Sequence, residues 1–566
     1  MRCPSLLFSA ILVALAVLTS SCVDITSIDD LDPNARDVFD EELPEAAVLG
    51  PEMPLEVGSL LQVEASDDSG VRRLAVFFTD EDGQVIWASD TINAHDVPEG
   101  VFDIPVTELP STFPYGEPVN AVAWAQDRVG KERLQGAPED NPLSMAAASG
   151  TSVTVYEGRT FRVSSGTIGD IVHNFVDHQI YYTNIDGNYV GIFDLFGMAM
   201  TDYRIMVGSR PNMMAFRPFA YGPGPTLAVF NSGGTEVSIV DITSREGGYE
   251  RWRIVMPIIE AEVGSEEIIL DTDVSSIMLQ CNSVVCNEPT LYIGSPRLGG
   301  TGAGLVRSLA VTSPRPTARF SVLTPTHSPV LEADESVTVT ADEISRLNGS
   351  RSRLFERENR SRCGTLAFGA AILASSHEVD GSFFIAETGE AGQSCDRQGG
   401  VRILRFDPDG DGQHIVSHSS IVNFDYDANL QDGGIQGIDV NDDASVVVIH
   451  TANTIYVTDG QLRRLATIPL DGVRAVSFLA GHTGGPGPVE EGAVFVADTN
   501  DGMVIFETQH FTEVTRYHTA GTSRGHLEFV PVDDRGNLAI FGVNSDADGL
   551  IVLETSIQDL VFRSNR

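Results

Sequence analysis

Residues 494–507 have the sequence VFVADTNDGMVIFE, and this phrase decides the fold. It contains an apolar strand, polar residues, a turn with glycine and a second apolar strand, which is the pattern of a β-hairpin. Six similar phrases occur at IYYTNIDGNYVGIFDL (180–195), TLAVFNSGGTEVSIVDI (226–242), LYIGSPRLGGTGAGLVRSLAV (291–311), FFIAETGE with VRILRFD (383–407), VVVIHTANTIYVTDG (446–460) and LAIFGVNSDADGLIVLE (538–554).

The spacing of these hairpins indicates the repeat type. Equivalent positions are Asn184, Asn231, Gly294, Glu387, Thr451, Asp498 and Val543, which are 47, 63, 93, 64, 47 and 45 residues apart. A period near 45 residues made of short strands is typical of β-propeller blades. We therefore expect an all-β protein with a β-propeller over 165–566, most simply seven-bladed, with six or eight blades as alternatives. The longest step predicts an insertion near 324–361.

Additional apolar strands precede several hairpins, at 212–219, 435–440, 473–480 and 526–532. They are predicted to be the innermost strands of their blades. The phrases SGGTEVSIVDI and VFVADTNDG resemble those of surface-layer YVTN and NHL-repeat propellers, over about two thirds of the chain. The resemblance implies the fold much more strongly than the function, because these propellers include ligand-binding, scaffolding and enzymatic members.

The amino-terminal segment predicts export. Arg2 is followed by the apolar run Leu6 to Leu18, which has the length of a signal-peptide core. Two small residues then precede Cys22, and this arrangement resembles the lipobox of bacterial lipoproteins. The resemblance implies a signal peptide over 1–21, a lipid on Cys22 as the only membrane attachment, and the outer membrane of a Gram-negative bacterium as the location. An ordinary signal peptide is the alternative.

Residues 22–50 are rich in acids and are expected to form an extended tether. Over 51–157 the pattern has period two, and the runs VEASDDSGVRRLAVFF and VAWAQDRVGKE resemble the immunoglobulin-like modules of bacterial surface proteins. The sequence predicts a β-sandwich with turns at 67–70, 80–83 and 127–130. Asp67, Asp68 and Asp127 are candidate calcium ligands, although Asp-Gly turns have the same sequence without a metal.

Charge restricts the partners. The chain of 566 residues has 36 Lys and Arg against 80 Asp and Glu, a formal net charge of −44. Such a field repels phosphate backbones, so nucleic acid is not an expected partner. A protein or glycan partner is expected instead, with no cofactor and with a divalent cation as a candidate ligand.

Four cysteines remain beyond the signal peptide and Cys22. An even number in an oxidising compartment indicates disulfides. We expect Cys281 to pair with Cys286 across one hairpin, and Cys363 to pair with Cys395.

The face of the propeller around the central channel is the expected site. Loops that enter the innermost strands and loops that leave the second strands share this face, which predicts a polar rim of Asn231, Glu387, His450, Arg474, Asp498 and His526, with Asn184, Arg210, Asn212 and Gln436 beside them. Such a set suits one cation or a small polar ligand. The alternative is that these residues only complete strand ends around a water-filled channel.

No complete catalytic set is recognisable. Gly521 to Gly525 match the G-x-S-x-G pattern, but that motif requires a strand-to-helix turn, whereas here it joins two blade strands. We therefore expect a binding or interaction scaffold. The alternative is a metal-dependent hydrolase that resembles the gluconolactonase-type propellers, and a quinone-dependent dehydrogenase is weaker still.

Overall fold

The computed structural model describes residues 42–217, 225–234, 236–244, 247–255, 260–263, 266–269, 274, 276–281, 289–295, 305–310, 320–323, 337–339, 371–375, 382–387, 401–408, 414–422, 435–441, 443–480, 493–533, 535–545, 548–556 and 560. For several segments between 254 and 422 only the backbone is described. The chain divides into two compact units, Met1–Tyr156 and Glu157–Arg566. Within the described residues, no helix has the length and apolar character needed to cross a membrane.

The first unit is built on one connected sheet with strand order β1-β3-β6-β8-β2, in which β4 and β5 also pair with β3 and β7 pairs with β6. Its elements are β1 (Glu45–Val48), β2 (Leu55–Glu56), β3 (Leu60–Thr79), β4 (Val85–Ala88), β5 (Ile92–Pro105), β6 (Pro118–Asp127), β7 (Glu132–Leu134), a 3-10 helix (Met145–Ala147) and β8 (Thr151–Tyr156).

The long strand β3 corrects one expectation. Residues 67–70 were predicted to reverse the chain, but they lie inside β3, where the pairing register shifts between Ser66 and Val71. Asp67 Oδ1 accepts the backbone N–H groups of Ser69 and Gly70 at 2.9 and 3.0 Å, so the aspartate stabilises a bend within the strand. The turns predicted at 80–83 and 127–130 are confirmed, since they join β3 to β4 and β6 to β7.

The second unit consists of a series of sheets. Their strands are β9 (Arg159–Arg162), β10 (Ile168–Asn174), β11 (Gln179–Asn184), β12 (Tyr189–Asp194), β13 (Ala199–Met206), β14 (Pro211–Arg217), β15 (Thr226–Asn231), β16 (Glu236–Ser244), β17 (Gly247–Val255), β18 (Glu260–Val263), β19 (Glu266–Ile269), β20 (Ser276–Cys281), β21 (Pro289–Ser295), β22 (Leu305–Ala310), β23 (Phe320–Leu323), β24 (Val337–Val339), β25 (Ala371–Ser375), β26 (Phe383–Glu387), β27 (Val401–Pro408), β28 (His414–Val422), β29 (Gly437–Val440), β30 (Val446–His450), β31 (Thr454–Asp459), β32 (Arg464–Pro469), β33 (Ala475–Phe478), β34 (Val494–Thr499), β35 (Gly502–Glu507), β36 (Glu513–Tyr517), β37 (Ser523–Pro531), β38 (Asn537–Asn544) and β39 (Gly549–Ser556).

We number the larger sheets by their order along the chain. Sheet 1 is β10-β11-β12-β13, sheet 2 is β14-β15-β16-β17, sheet 3 is β20-β21-β22-β23-β24, sheet 4 is β25-β26-β27-β28, sheet 5 is β29-β30-β31-β32, sheet 6 is β33-β34-β35-β36 and sheet 7 is β37-β38-β39-β9. A separate hairpin, β18-β19, lies between sheets 2 and 3 in sequence. All pairs in these sheets are antiparallel, as in propeller blades.

The first strands of the sheets form a ring. In the described part of the chain, β10 contacts β14, β14 contacts β20, and the series continues through β25, β29, β33 and β37 back to β10. This cyclic arrangement of antiparallel sheets around their first strands is a β-propeller. β9 lies before residue 165, where the propeller was expected to begin, and it completes sheet 7 by pairing with β39.

The core lies between neighbouring sheets. One cluster joins Tyr181 and Ile192 of sheet 1 to Phe216 and Val229 of sheet 2, and similar clusters join the later sheets. Every residue of β11 is buried, because the second strand of a blade has a neighbouring sheet on both faces. This explains why the hairpin phrases are nearly continuous apolar runs.

The predicted insertion at 324–361 is described only at β24, which pairs with β23. Among the four cysteines, Cys281 ends β20. Cys286, Cys363 and Cys395 lie outside the described residues, as do Cys22 and the predicted signal peptide.

Candidate functional site

A cavity of about 420 Å³ opens at the ring of first strands. Its walls come from sheets 1, 2, 3, 5, 6 and 7, so it occupies the central channel. The lining residues are Gly169, Asp170, Ile185, Asn212, Met213, Met214, Ser276, Ile277, Gln436, Gly437, Ile438, His450, Ala475, Val476, Gly525 and His526. Most of the walls are apolar, and a few polar groups converge, as in ligand sites generally.

His526 and Asp170 form the charged pair of the cavity. His526 Nδ1 lies 3.1 Å from Asp170 Oδ1, and 62% of the histidine side chain is exposed. The negative charge of Asp170 raises the pKa of His526 to about 9, against the opposing effect of burial. The ring is therefore an imidazolium at neutral pH. Its Nδ1–H donates to Asp170, which leaves Nε2–H as a donor for the cavity.

The backbone holds Asp170 in place. Its Oδ2 accepts the N–H of Met214 in sheet 2 at 2.7 Å, and its Oδ1 also accepts the N–H of Ile171 at 2.9 Å. The carboxylate therefore joins two sheets while it orients a histidine from a third. Fixed acceptor geometry of this kind determines which nitrogen of the imidazole remains available.

His450 contributes a different polar group. It ends β30 and is 1% exposed, and its Nδ1 donates to the carbonyl of Thr451 at 3.2 Å. Burial lowers the pKa of His450 to about 4, so the ring is neutral and Nε2 is an acceptor. Gly437 lies opposite His450 in the sheet, and a Cβ added there would stand 2.3 Å from Nε2.

Two further carboxyl groups lie on first strands of the ring, Glu528 on β37 and Asp439 on β29. Glu528 Oε1 accepts the N–H of His173 at 3.2 Å, and Asp439 Oδ2 accepts the N–H of Phe478 at 2.8 Å. Burial raises the pKa of Glu528 to about 8, although the positive charge of His526 opposes this shift. Like Asp170, each carboxyl group links its own sheet to the next one in the ring.

The structure brings together part of the predicted rim. His450 and His526 line the cavity, together with Asn212 and Gln436. Asn231 is buried inside its sheet, where Nδ2 donates to Ser238 Oγ at 2.8 Å. The remaining predicted residues, among those described, do not line it.

Arg474 is on the exposed surface, and its Nε donates to Asn500 Oδ1 at 2.9 Å. Asp498 is fully buried, and its Oδ2 accepts both N–H and Oγ–H of Ser523 at 2.7 and 2.8 Å. Ser523 is itself 1% exposed, and it begins a strand. The side chain of Glu387 lies outside the described residues.

Sequence reasoning missed Asp170, because the innermost strand of sheet 1 was not recognised. The available signal was Asp170 followed by Ile171, which resembles Asp439 followed by Val440 at the start of sheet 5. Among the described residues, no group of three or more His, Cys, Asp or Glu side chains could hold a metal ion. This includes the predicted group of Asp67, Asp68 and Asp127.

No protein-family model matches the chain, and no curated protein is significantly similar to it. Among solved structures, it is similar to the β-propeller domain of Myceliophteria thermophila Cps50 (Swd1), with 14% identity, coverage of 70% of this chain and 98% of that one, and a TM-score of 0.41. Kuenenia stuttgartiensis hydrazine synthase is 12% identical over 70% of this chain and 98% of that one, with a TM-score of 0.42. A putative 6-phosphogluconolactonase from Bacteroides uniformis is 12% identical over 65% and 92%, with a TM-score of 0.35.

Proposed function

We propose that this protein is an outer-membrane lipoprotein whose seven-bladed propeller is a binding module for a protein or glycan partner, and that the channel cavity is its binding site. In this proposal Cys22 carries the lipid, residues 22–50 form the tether, and the immunoglobulin-like sandwich over 51–157 is a spacer. The observation that carries the proposal is a cavity with two histidines held in opposite protonation states.

These protonation states favour binding over catalysis. A general acid or base works best when its pKa lies near the working pH. The pKa of His450 is lowered to about 4, which makes the ring a weak base, and that of His526 is raised to about 9, which makes it a weak acid. Both rings are suited to fixed hydrogen bonds. No observation on the described residues favours the gluconolactonase-type hydrolase.

A blocking variant tests the binding site. Gln436 is an exposed residue at the cavity wall, so Gln436→Trp should fill the cavity without straining the core. Gln461→Trp is the matched control. Gln461 is also exposed and also belongs to sheet 5, in the turn between β31 and β32, but it does not line the cavity. The full chain and both variants are screened by thermal shift against small anionic, cationic and uncharged polar compounds.

We expect at least one compound to raise the melting temperature of the wild type and of Gln461→Trp but not of Gln436→Trp, since a bound ligand stabilises the folded state. If no compound behaves in this way, the cavity is only a channel mouth. If nuclear magnetic resonance shows that the compound is consumed by the wild type, the protein is an enzyme and the non-catalytic proposal is wrong.

The lipid anchor has its own test. Mass spectrometry of the mature protein should find an acylated Cys22 at the amino terminus, and Cys22→Ala should release soluble protein. Cys3→Ala, inside the predicted signal peptide, is the control and should leave the anchor unchanged. Peptide mapping without reductant should also find the proposed pairs Cys281 with Cys286 and Cys363 with Cys395.

A further inference from the structure

The charges at the cavity wall select against a charged ligand. The imidazolium of His526 and the carboxylate of Asp170 lie 3.1 Å apart and both line the cavity, so their charges nearly cancel. A ligand cation would lie against the imidazolium. A ligand anion would lie against the carboxylate of Asp170, and among the described residues no Lys or Arg lines the cavity to offset that repulsion. An uncharged ligand avoids both repulsions and loses less solvation on entering.

The hydrogen-bonding groups require a ligand that both donates and accepts. His450 is buried, and among the described residues no partner is found for its Nε2, which is an acceptor beside Gly437 at the wall. His526 offers a donor at Nε2. The amides of Asn212 and Gln436 provide both kinds of group. Hydroxyl groups satisfy all of these positions, because each one donates and accepts.

The remaining walls are aliphatic, from Ile185, Met213, Ile277 and Val476. Such walls suit the C–H groups of a compact ligand, and a cavity of about 420 Å³ is at the small end of ligand sites.

We propose that the cavity binds an uncharged polyhydroxylated molecule of monosaccharide size, such as one sugar unit of a glycan. This inference rests on the proposed function, since it names the ligand class of the same site. His526 Nε2–H donates to one ligand hydroxyl, and another ligand hydroxyl donates to His450 Nε2. The aliphatic walls contact the carbon atoms of the ligand.

The test compares sugars that differ mainly in charge. The full chain is titrated calorimetrically with the uncharged sugars D-glucose, D-galactose and D-mannose, then with glucuronate and galacturonate as anions and glucosamine and galactosamine as cations. We expect an uncharged sugar to bind at least about tenfold more tightly than its charged counterparts, which corresponds to about 1.4 kcal/mol. Equal or tighter binding of a charged counterpart overturns the inference.

Variants of His526 test the donor. This side chain is largely exposed, so its replacement removes little core packing, but it also removes the cationic partner of Asp170, and the melting temperature of each variant is therefore measured beside its affinity. His526→Leu should weaken binding of the uncharged sugar about tenfold, as expected for loss of a hydrogen bond from a charged donor. His526→Gln, which retains a neutral N–H donor, should recover part of the affinity. His510→Leu is the control, because His510 is also exposed and also lies near a carboxylate, that of Glu507.

The outcomes separate this inference from the proposed function. If no sugar binds, but another compound binds in a manner that Gln436→Trp abolishes, the ligand class is wrong and the binding module stands. If no compound shows binding sensitive to Gln436→Trp, both are wrong. If His526→Leu binds sugar as tightly as the wild type, the sugar does not use the proposed donor and the inference is overturned.

Discussion

In sheets 5 and 6 the first residue of the first strand pairs with a polar residue of the second strand, His450 in sheet 5 and Asp498 in sheet 6. By this register the equivalent of Asp498 is His450, not Thr451 as the repeat spacing predicted, yet the two side chains have different surroundings. His450 lines the channel cavity, whereas Asp498 is fully buried and bonded to Ser523 of sheet 7. The difference follows from the residue opposite each one on the first strand. His450 faces Gly437, and Asp498 faces Ala475.

Glycine has no side chain to cover its neighbour, so the imidazole reaches the channel past the first strand. The other strand ends agree with this explanation. Asn231 faces Pro211 and Asn184 faces Ile168, and both asparagines are fully buried and do not line the cavity. Among these four described pairs, the polar residue of the second strand lines the channel only where the first strand has glycine opposite it.

The largest expected effect is a loss of stability that is greater in Asp498→Ala than in His450→Ala. Asp498→Ala removes the acceptor of two buried donors on Ser523, which should lower the free energy of unfolding by about 3–4 kcal/mol. His450→Ala should cost only about 1–2 kcal/mol, because water from the adjoining cavity can enter the space that it leaves. Urea unfolding followed by circular dichroism measures both. Equal losses would contradict the assigned difference in their roles.

The hairpins of the propeller were predictable because second and third strands are buried on both faces, as β11 and β34 show. Four first strands were also predicted, at 212–219, 435–440, 473–480 and 526–532, and the structure has β14, β29, β33 and β37 there. The first strand of sheet 1 was harder to recognise, because it borders the channel and includes polar residues. β10 contains Asp170, His173 and Asn174, so it has no apolar run, and the partner of His526 was missed with it. The bend at 67–70 has the composition of a turn, and only the long-range pairing of β3 with β5 and β6 shows that the strand continues.

The second expected effect is a pH dependence specific to Asp498. Burial raises the pKa of Asp498 from 3.8 to about 6. As pH rises from about 4 to about 6, the unfolded chain loses this proton first, so the carboxyl group contributes stability below this range that is lost across it, by about 2–3 kcal/mol. Unfolding free energies of the wild type and Asp498→Asn are compared at each pH. The unfolding free energy of the wild type minus that of Asp498→Asn should fall between pH 4 and 6 and then level off. A constant difference would mean that Asp498 has the same pKa in the folded and unfolded chains.

The smallest expected effect tests the glycine explanation itself. In Gly437→Ala the new Cβ would stand 2.3 Å from His450 Nε2, so the ring must shift, at a cost of about 1–2 kcal/mol in the free energy of unfolding. In the double variant Gly437→Ala, His450→Ala the clash is absent, so the alanine at 437 should cost little beyond the His450→Ala change. The reverse replacement in sheet 6, Ala475→Gly, is the control, and it should cost only about 0.5–1 kcal/mol through backbone entropy. If Gly437→Ala costs the same with and without His450, the two residues do not interact, and some other feature brings His450 to the channel.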